Sequence, residues 1–325
     1  MKTGTDSRPK VLLHLPTAGA LPGLSRANVM RLRRELPSVE WVECADDASF
    51  QARLPECSGA VVWDFLPEWL ERAPKLSLVS TPAAGRDWVL VRPRPGLAVE
   101  FGTFHGELIA ETVLGLMLAF ARGIRHGMEV QRATPWARAE VAAGMRSLRG
   151  ASAVVLGFGH IGKWIGRLLK PMGIRVTGVN RRDLERPEYF DAGDTVVSID
   201  ELDVVLPEAD HLVLALPGGG DTDKIIDARR LALLPERAVV YNIGRGNSID
   251  MPALVAALRS GAIAGAGLDV FDEEPLPAGA PIRTCPNVVL MPHVSAFAPN
   301  YMDLYINKLL PLVHRHILGG ATGEL

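Results

Sequence analysis

Short apolar runs alternate with longer amphipathic stretches along almost the whole chain. Near the start, Val11–Leu15, Ala60–Trp63 and Leu76–Ser80 read as strands, and Val39–Glu43 as a weaker one. Arg26–Leu36 reads as a helix between the first of these and the weaker run. The alternation resumes with Ala153–Leu156, Ile174–Val179, His211–Leu216, Ala238–Asn242, Ala264–Asp269 and Val288–Met291 as strands. Helices are predicted over Lys163–Lys170, Ile249–Ser260 and about Asn300–Leu318, the last returning to pack on the first domain. Strands alternating with helical stretches predict parallel sheets covered by helices. Glu107–Arg125 is the longest helix pattern before Ala153. It is apolar almost all round, so it must be buried on more than one side, and it is expected to link two domains and to meet a second subunit. Residues 127–150 read as a loop-rich connection.

One junction in this pattern carries chemistry. The strand Ala153–Leu156 runs into Gly157, Gly159 and Gly162, spaced G-x-G-x-x-G, and a helix follows. The first glycine permits a tight turn, the second lets backbone approach a pyrophosphate, and the third lets helix pack closely on strand. The helix start offers free N–H groups and the positive end of a dipole. The next strand ends at Asn180, Arg181 and Arg182, where NAD sites usually place an acidic residue for the ribose hydroxyls. Arginine pairs with a 2′-phosphate that a carboxylate would repel. NADP(H) is therefore the expected cofactor, with NAD(H) kept open by Asp183.

Length and charge narrow the rest. The chain has 325 residues, room for two domains, with 35 basic and 37 acidic side chains. Near-neutrality gives no reason to expect nucleic acid or an anionic membrane as partner. No apolar run is long enough for a membrane span, and the start MKTGTDSRPK has no apolar signal core. Cys44, Cys57 and Cys285 are odd in number and far apart, which fits a reducing cytoplasm better than a disulfide framework. No set of histidines has metal-ligand spacing, so no metal is expected.

Three polar groups follow strand ends behind the glycine turn: Arg245 in NIGRGNSID, Glu274 in GLDVFDEEPLP and His293 in MPHVSA. Ligands of open α/β sheets bind beyond such ends. Arginine can hold a carboxylate, histidine can move a proton near neutral pH, and a carboxylate beside the histidine favours its charged form. Earlier in the chain, TPAAGRD at Thr81–Asp87 has small residues that would let backbone N–H groups approach a small anion.

GFGHIG, NIGRGNSID, GLDVFDEEPLP and MPH, in this order and spacing, together with HGELIAETVLGLMLAFAR, resemble the D-isomer-specific 2-hydroxyacid dehydrogenase family. The resemblance spans about Leu76 to Asn300. It implies two doubly wound α/β parallel-sheet domains with a cleft between them. A flavodoxin-like substrate domain would take residues 1–103 and 299–325, and a Rossmann-type cofactor domain 104–298. It implies NAD(P)H-dependent reduction of a 2-oxo acid, such as glyoxylate or hydroxypyruvate, to the D-2-hydroxy acid, in a homodimer. Arg245 is similar to the family arginine on the substrate carboxylate, His293 to the acid/base, and Glu274 to its partner. Ala84 and Gly85 occupy the substrate-anion loop, and Asp269 is similar to the aspartate that holds the nicotinamide carboxamide. Further cofactor positions are Phe158, His160, Ile161, Leu216, Pro217, Ile243 and Gly244, and Trp136 lies where some relatives reach into the neighbouring subunit. The chain departs from the pattern in TPAAGRDWV, VRPRPG and GGGDTD, which bear on substrate identity. A dinucleotide-sensing, corepressor-like binding protein on the same fold is the alternative from another class.

Overall fold

The computed structural model describes residues 8–16, 21–134, 136–182 and 185–320. It divides into two compact units, 1–104 with 298–325, and 105–297.

In the first unit, β1 (Lys10–His14), β2 (Glu40–Glu43), β3 (Cys57–Val62), β4 (Leu78–Thr81) and β5 (Ala98–Phe101) form a sheet of order β2-β1-β3-β4-β5. Every pairing in it is parallel. This is the flavodoxin-like order. The central strands are apolar on both faces because helices cover both, as parallel sheets require. Helix α1 (Arg26–Glu35) starts at a capping box made by Ser25 and Asn28. Asp46 and Ser49 do the same for α2 (Asp47–Arg53).

The second unit holds β6 (Ser152–Leu156), β7 (Arg175–Asn180), β8 (Thr195–Ser198), β9 (His211–Leu214), β10 (Val239–Asn242), β11 (Gly265–Leu268) and β12 (Val288–Leu290). Their order is β12-β11-β10-β9-β6-β7-β8, again all parallel. The chain winds one way from β6 to β8 and the other from β9 to β12, so β6 and β9 flank the point where the order reverses. In the second unit, α3 (His105–Ala121) packs on α6 (His160–Leu169), and α9 (Met251–Ser260) completes the cover over the later strands. Short helices α4 (Ile124–Val130), α5 (Arg138–Ala143), α7 (Leu202–Val205) and α8 (Ala228–Leu231) fill connections. The last helix, α10 (Tyr301–His316), returns to the first sheet, where the Tyr305 and Ser80 hydroxyls meet at 2.8 Å and Asn28 donates to Asp303 at 2.8 Å.

The alternation predicted this architecture, and several boundaries differ. Helix α6 begins at His160, three residues before the expected start, because its N-cap is the glycine turn itself. The long apolar helix ends at Ala121, since Gly123 takes a left-handed φ of +64° and breaks it before α4. The connection 127–150 contains the rest of α4 and all of α5, so it is less loop-rich than expected. Strands β5 and β8 carry too little apolar pattern to stand out, being only half-buried or exposed at sheet edges.

Candidate active site

The carboxyl ends of β6, β9, β10, β11 and β12 gather the sequence motifs at one edge of the seven-stranded sheet. At the end of β6, Gly157 has φ +92°, and a Cβ there would lie 2.6 Å from the Ala215 carbonyl oxygen. A Cβ on Gly162 would lie 2.5 Å from the Gly157 carbonyl oxygen, whereas one on Gly159 would meet nothing within 4 Å. So two of the glycines are required by the protein's own packing, and the third leaves open space in front of backbone. No side chain caps the start of α6. A helix start without a side-chain cap directly behind a glycine turn is where a dinucleotide phosphate would sit. Phe158 is fully buried among Gly166, Gly178 and Phe190, so it offers a cofactor only its main chain. His160 is exposed and Ile161 half-buried.

Beyond β7, the Asn180 amide donates to the Phe158 carbonyl at 3.3 Å, and its oxygen accepts the Arg181 N–H at 2.9 Å. Both arginines are exposed. Arg181 pairs with Asp221 of the GGGDTD loop, and the arginine holds that carboxyl below its ordinary range. Asp183 lies outside the described residues. Leu216 and Pro217 follow β9, and Gly244 crosses so near them that a Cβ there would be 2.4 Å from the Leu216 carbonyl oxygen. Ile243 donates its N–H to Leu214 at 3.1 Å.

Arg245 follows β10 in extended conformation, half-buried, with its Nη1 donating to the Gly244 carbonyl at 2.8 Å. Its own carbonyl accepts from Asn242 Nδ2 at 3.0 Å and Ser248 Oγ at 2.8 Å. Asn242 is buried and also accepts the Gly244 N–H at 3.1 Å, so one side chain fixes both sides of the turn. Gly246 meets the next loop so closely that a Cβ would lie 1.9 Å from the Phe271 carbonyl carbon. The loops bearing Arg245 and Glu274 are thereby locked together.

His293 Nδ1 donates to Glu274 Oε2 at 2.7 Å, and Glu274 Oε1 accepts the Phe271 N–H at 2.9 Å. Burial works against ionisation of Glu274. The contacts with His293 and Phe271 and the positive charge of Arg245 outweigh it, and the carboxyl lies below its usual range. An ionised carboxylate only accepts, so Nδ1 is the nitrogen that carries the shared proton and Nε2 is the one left for another partner. The His293 side chain is 40% exposed. Its backbone is left-handed, with φ +56°.

That turn is held by Asp269, which is fully buried. Its two carboxylate oxygens accept the N–H groups of Val294 at 2.8 Å and Ser295 at 2.9 Å, and its carbonyl accepts the His293 N–H at 2.8 Å. Asp269 thus positions His293, a task that sequence reading did not assign. Asn242 and Ser248 were also missed. Their signal was present in NIGRGNSID, where short amide and hydroxyl side chains beside glycines mark a self-bonded turn.

In the first unit, the Thr81 hydroxyl donates to the Trp63 carbonyl at 3.0 Å and accepts the Ala83 N–H at 3.2 Å. This shapes the turn that carries Ala84 and Gly85. The N–H groups of these two residues have no acceptor among the described residues. Arg86 lies over the Phe101 ring at 5.8 Å, and Trp136 is 82% exposed.

Residues 114–295 match the model of the D-isomer specific 2-hydroxyacid dehydrogenase NAD binding domain. A glyoxylate reductase of Pyrococcus furiosus is 31% identical over 274 residues, covering 79% of this chain and 76% of its own. The structure of a D-isomer specific 2-hydroxyacid dehydrogenase from Xanthobacter autotrophicus, in complex with NADPH and MES, is 27% identical, with TM-score 0.80 over 97% of this chain and 96% of that one. An NADPH-dependent glyoxylate/hydroxypyruvate reductase of Sinorhizobium meliloti, in complex with citrate, is 28% identical, with TM-score 0.75 over 98% of each chain. Fold and matches define an NAD(P)-dependent oxidoreductase. The chain belongs to the D-isomer specific 2-hydroxyacid dehydrogenase family. Nothing in these comparisons supports the binding-protein alternative.

Proposed function

We propose that the protein reduces a small 2-oxo acid, of the size of glyoxylate or hydroxypyruvate, to the D-2-hydroxy acid with NADPH. The observation that carries this reading is the 2.7 Å contact of His293 with Glu274, at the same sheet edge as Arg245 and the glycine turn. Residues 105–297 serve as the cofactor domain in this reading, and the first unit as the substrate domain. When bound, the nicotinamide supplies a hydride to the carbonyl carbon. Arg245 binds the substrate carboxylate. His293, held by Glu274, gives the Nε2 proton to the carbonyl oxygen, so hydride and proton together turn C=O into CH–OH. In oxidation the same nitrogen takes the proton back. Fixed donors aimed at the developing alkoxide supply most of the rate gain, because they need no reorganisation as charge builds.

The cofactor preference rests on Arg181 and Arg182, which offer charge to a 2′-phosphate where no carboxylate follows β7 directly. Asp269 is assigned the carboxamide of the nicotinamide in addition to its turn, since each carboxylate oxygen retains a lone pair. A homodimer is proposed, with the apolar side chains Ile124, Met128 and Trp136, exposed by 51%, 64% and 82%, as candidates for its contact. Among the described residues no helix is long and apolar enough to cross a membrane. The three cysteines are free and buried, in keeping with a reducing, cytoplasmic setting.

The test is oxidation of NADPH and of NADH by purified protein with a panel of 2-oxo acids, followed by the absorbance of the reduced cofactor. Turnover with NADPH, abolished or nearly so in His293→Ala with cofactor affinity retained, is the expected result. Faster turnover with NADH overturns the cofactor preference alone. Undiminished turnover in His293→Ala removes that residue from the mechanism, and no turnover on any acid overturns the reductase.

A further inference from the structure

Helix α3 runs along β11 in a fixed register. A Cβ on Gly265 would lie 2.6 Å from the Phe120 ring, and one on Gly267 would lie 3.2 Å from a methyl carbon of Leu116. Both glycines face the helix, being two apart on a strand. Four residues of helix rise about 6 Å and two residues of strand about 6.6 Å, so the elements keep step as they run in opposite directions. The next pair in the series is Thr112 on the helix with Asp269 at the end of the strand. There the packing contact gives way to a hydrogen bond, in which the Thr112 hydroxyl donates to the Ser295 carbonyl at 2.9 Å.

Ser295 belongs to the turn that presents His293. The Phe297 N–H donates to the Val294 carbonyl at 2.9 Å, so Ser295 and Ala296 are the central residues of this turn. Asp269 holds its other side by accepting the N–H groups of Val294 and Ser295. Ser295 is 6% exposed, and a buried carbonyl needs a partner. A hydroxyl has one hydrogen to donate. In a helix it commonly goes to the carbonyl one turn back, and at Thr112 it goes to the His293 turn instead. The left-handed backbone of His293, φ +56°, persists only while its surroundings hold it. Groups from two elements do so: a carboxylate that takes the N–H groups of the turn and a hydroxyl that gives to its carbonyl.

We propose that Thr112 is a positioning residue for the reduction, acting through Ser295 on the placement of the His293 ring. This rests on His293 as the proton donor of the proposed reaction. Arg245 follows β10 and the glycine turn follows β6, so the substrate carboxylate and the cofactor are held at other strand ends.

The test is steady-state kinetics of Thr112→Val, which keeps the branched shape and removes the hydroxyl, beside Thr112→Ser, which keeps the hydroxyl. In Thr112→Val kcat should fall about tenfold or more, because a small misplacement of a reacting group is costly, while KM for the 2-oxo acid and Kd for NADPH stay within about twofold. Thr112→Ser should recover most of kcat. Hydrogen exchange of residues 293–297, followed by mass spectrometry, reads the turn without substrate. It should quicken in Thr112→Val and return in Thr112→Ser. Should Thr112→Val fail to fold, Thr112→Ala is compared with Thr112→Ser in the same way. An equal loss in kcat, KM and cofactor affinity, or a loss shared by Thr112→Ser, overturns the proposal, because the threonine then serves the fold alone. So does unchanged exchange in Thr112→Val. Full turnover in Thr112→Val beside an active unaltered enzyme overturns this proposal alone; absence of turnover in the unaltered enzyme overturns the reductase reading and this proposal with it.

Discussion

At the scale of single residues, the site depends on charges whose partners are fixed at hydrogen-bond distance. Glu274 accepts the His293 Nδ1–H at 2.7 Å and so fixes the ring that hands a proton to the substrate. Glu274→Gln keeps the shape and removes the charge. The reductive kcat/KM should fall on the order of a hundredfold, because a ring no longer held by a carboxylate loses its orientation for proton transfer, while cofactor affinity stays. A kcat/KM equal to that of the unaltered enzyme would remove the positioning role of Glu274. The Arg181–Asp221 pair bears on the cofactor. Both side chains are largely exposed, and exposed pairs contribute little, so the pair yields readily to a phosphate. Asp221→Asn frees Arg181 and takes away a repelling charge. KM for NADPH should fall by about threefold and KM for NADH should stay, as measured by initial rates. Lowering both equally would show that Asp221 acts on loop order instead.

At the scale of elements, function rests on how strand ends meet. Gly246 lets the Arg245 turn lie against Phe271–Asp272, and Asp269 ties β11 to the turn that holds His293 in a left-handed conformation. Gly246→Ala puts a Cβ against main-chain atoms, which cannot swing away as a flexible side chain would. The two loops must separate, and a displacement of about 1 Å at reacting groups costs on the order of a hundredfold in kcat/KM. Cofactor affinity, set at the end of β6, should change far less. A kcat/KM within twofold of the unaltered value, in a variant with normal thermal stability, would show that the loops are not coupled through this contact.

The whole molecule shows how much of this was legible beforehand. Strand and helix alternation, read from apolar spacing alone, predicted two parallel sheets; the order within each was not legible, because right-handed crossovers are compatible with more than one order. The glycine turn, Arg245, Glu274 and His293 stood out because each is a residue type suited to its chemistry directly after an apolar run. Strands β5 and β8 did not, since edge strands lack a buried face on each side. His211, which the sequence marks only as the start of a strand, is buried and neutral near pH 7 at the amino-terminal edge of the sheet. This has a consequence for stability. As pH falls through about 6.5 the unfolded chain takes up a proton at His211, while the folded chain does not until about 4, so stability drops across that window. The thermal midpoint should fall between pH 7 and about pH 5, and His211→Asn should reduce the fall. An identical slope in the variant would assign the acid sensitivity to other groups.

The sequence by itself determined the alternation, the turn that receives a dinucleotide and the residue types of the reaction, because periodicity and local chemistry are properties of neighbours along the chain. Only the tertiary structure decided that Glu274 lies 2.7 Å from His293, that Asp269 shapes the His293 turn, and that Gly246 sets the Arg245 turn against Phe271. Those facts depend on strand register and on the approach of distant segments, which no local pattern encodes.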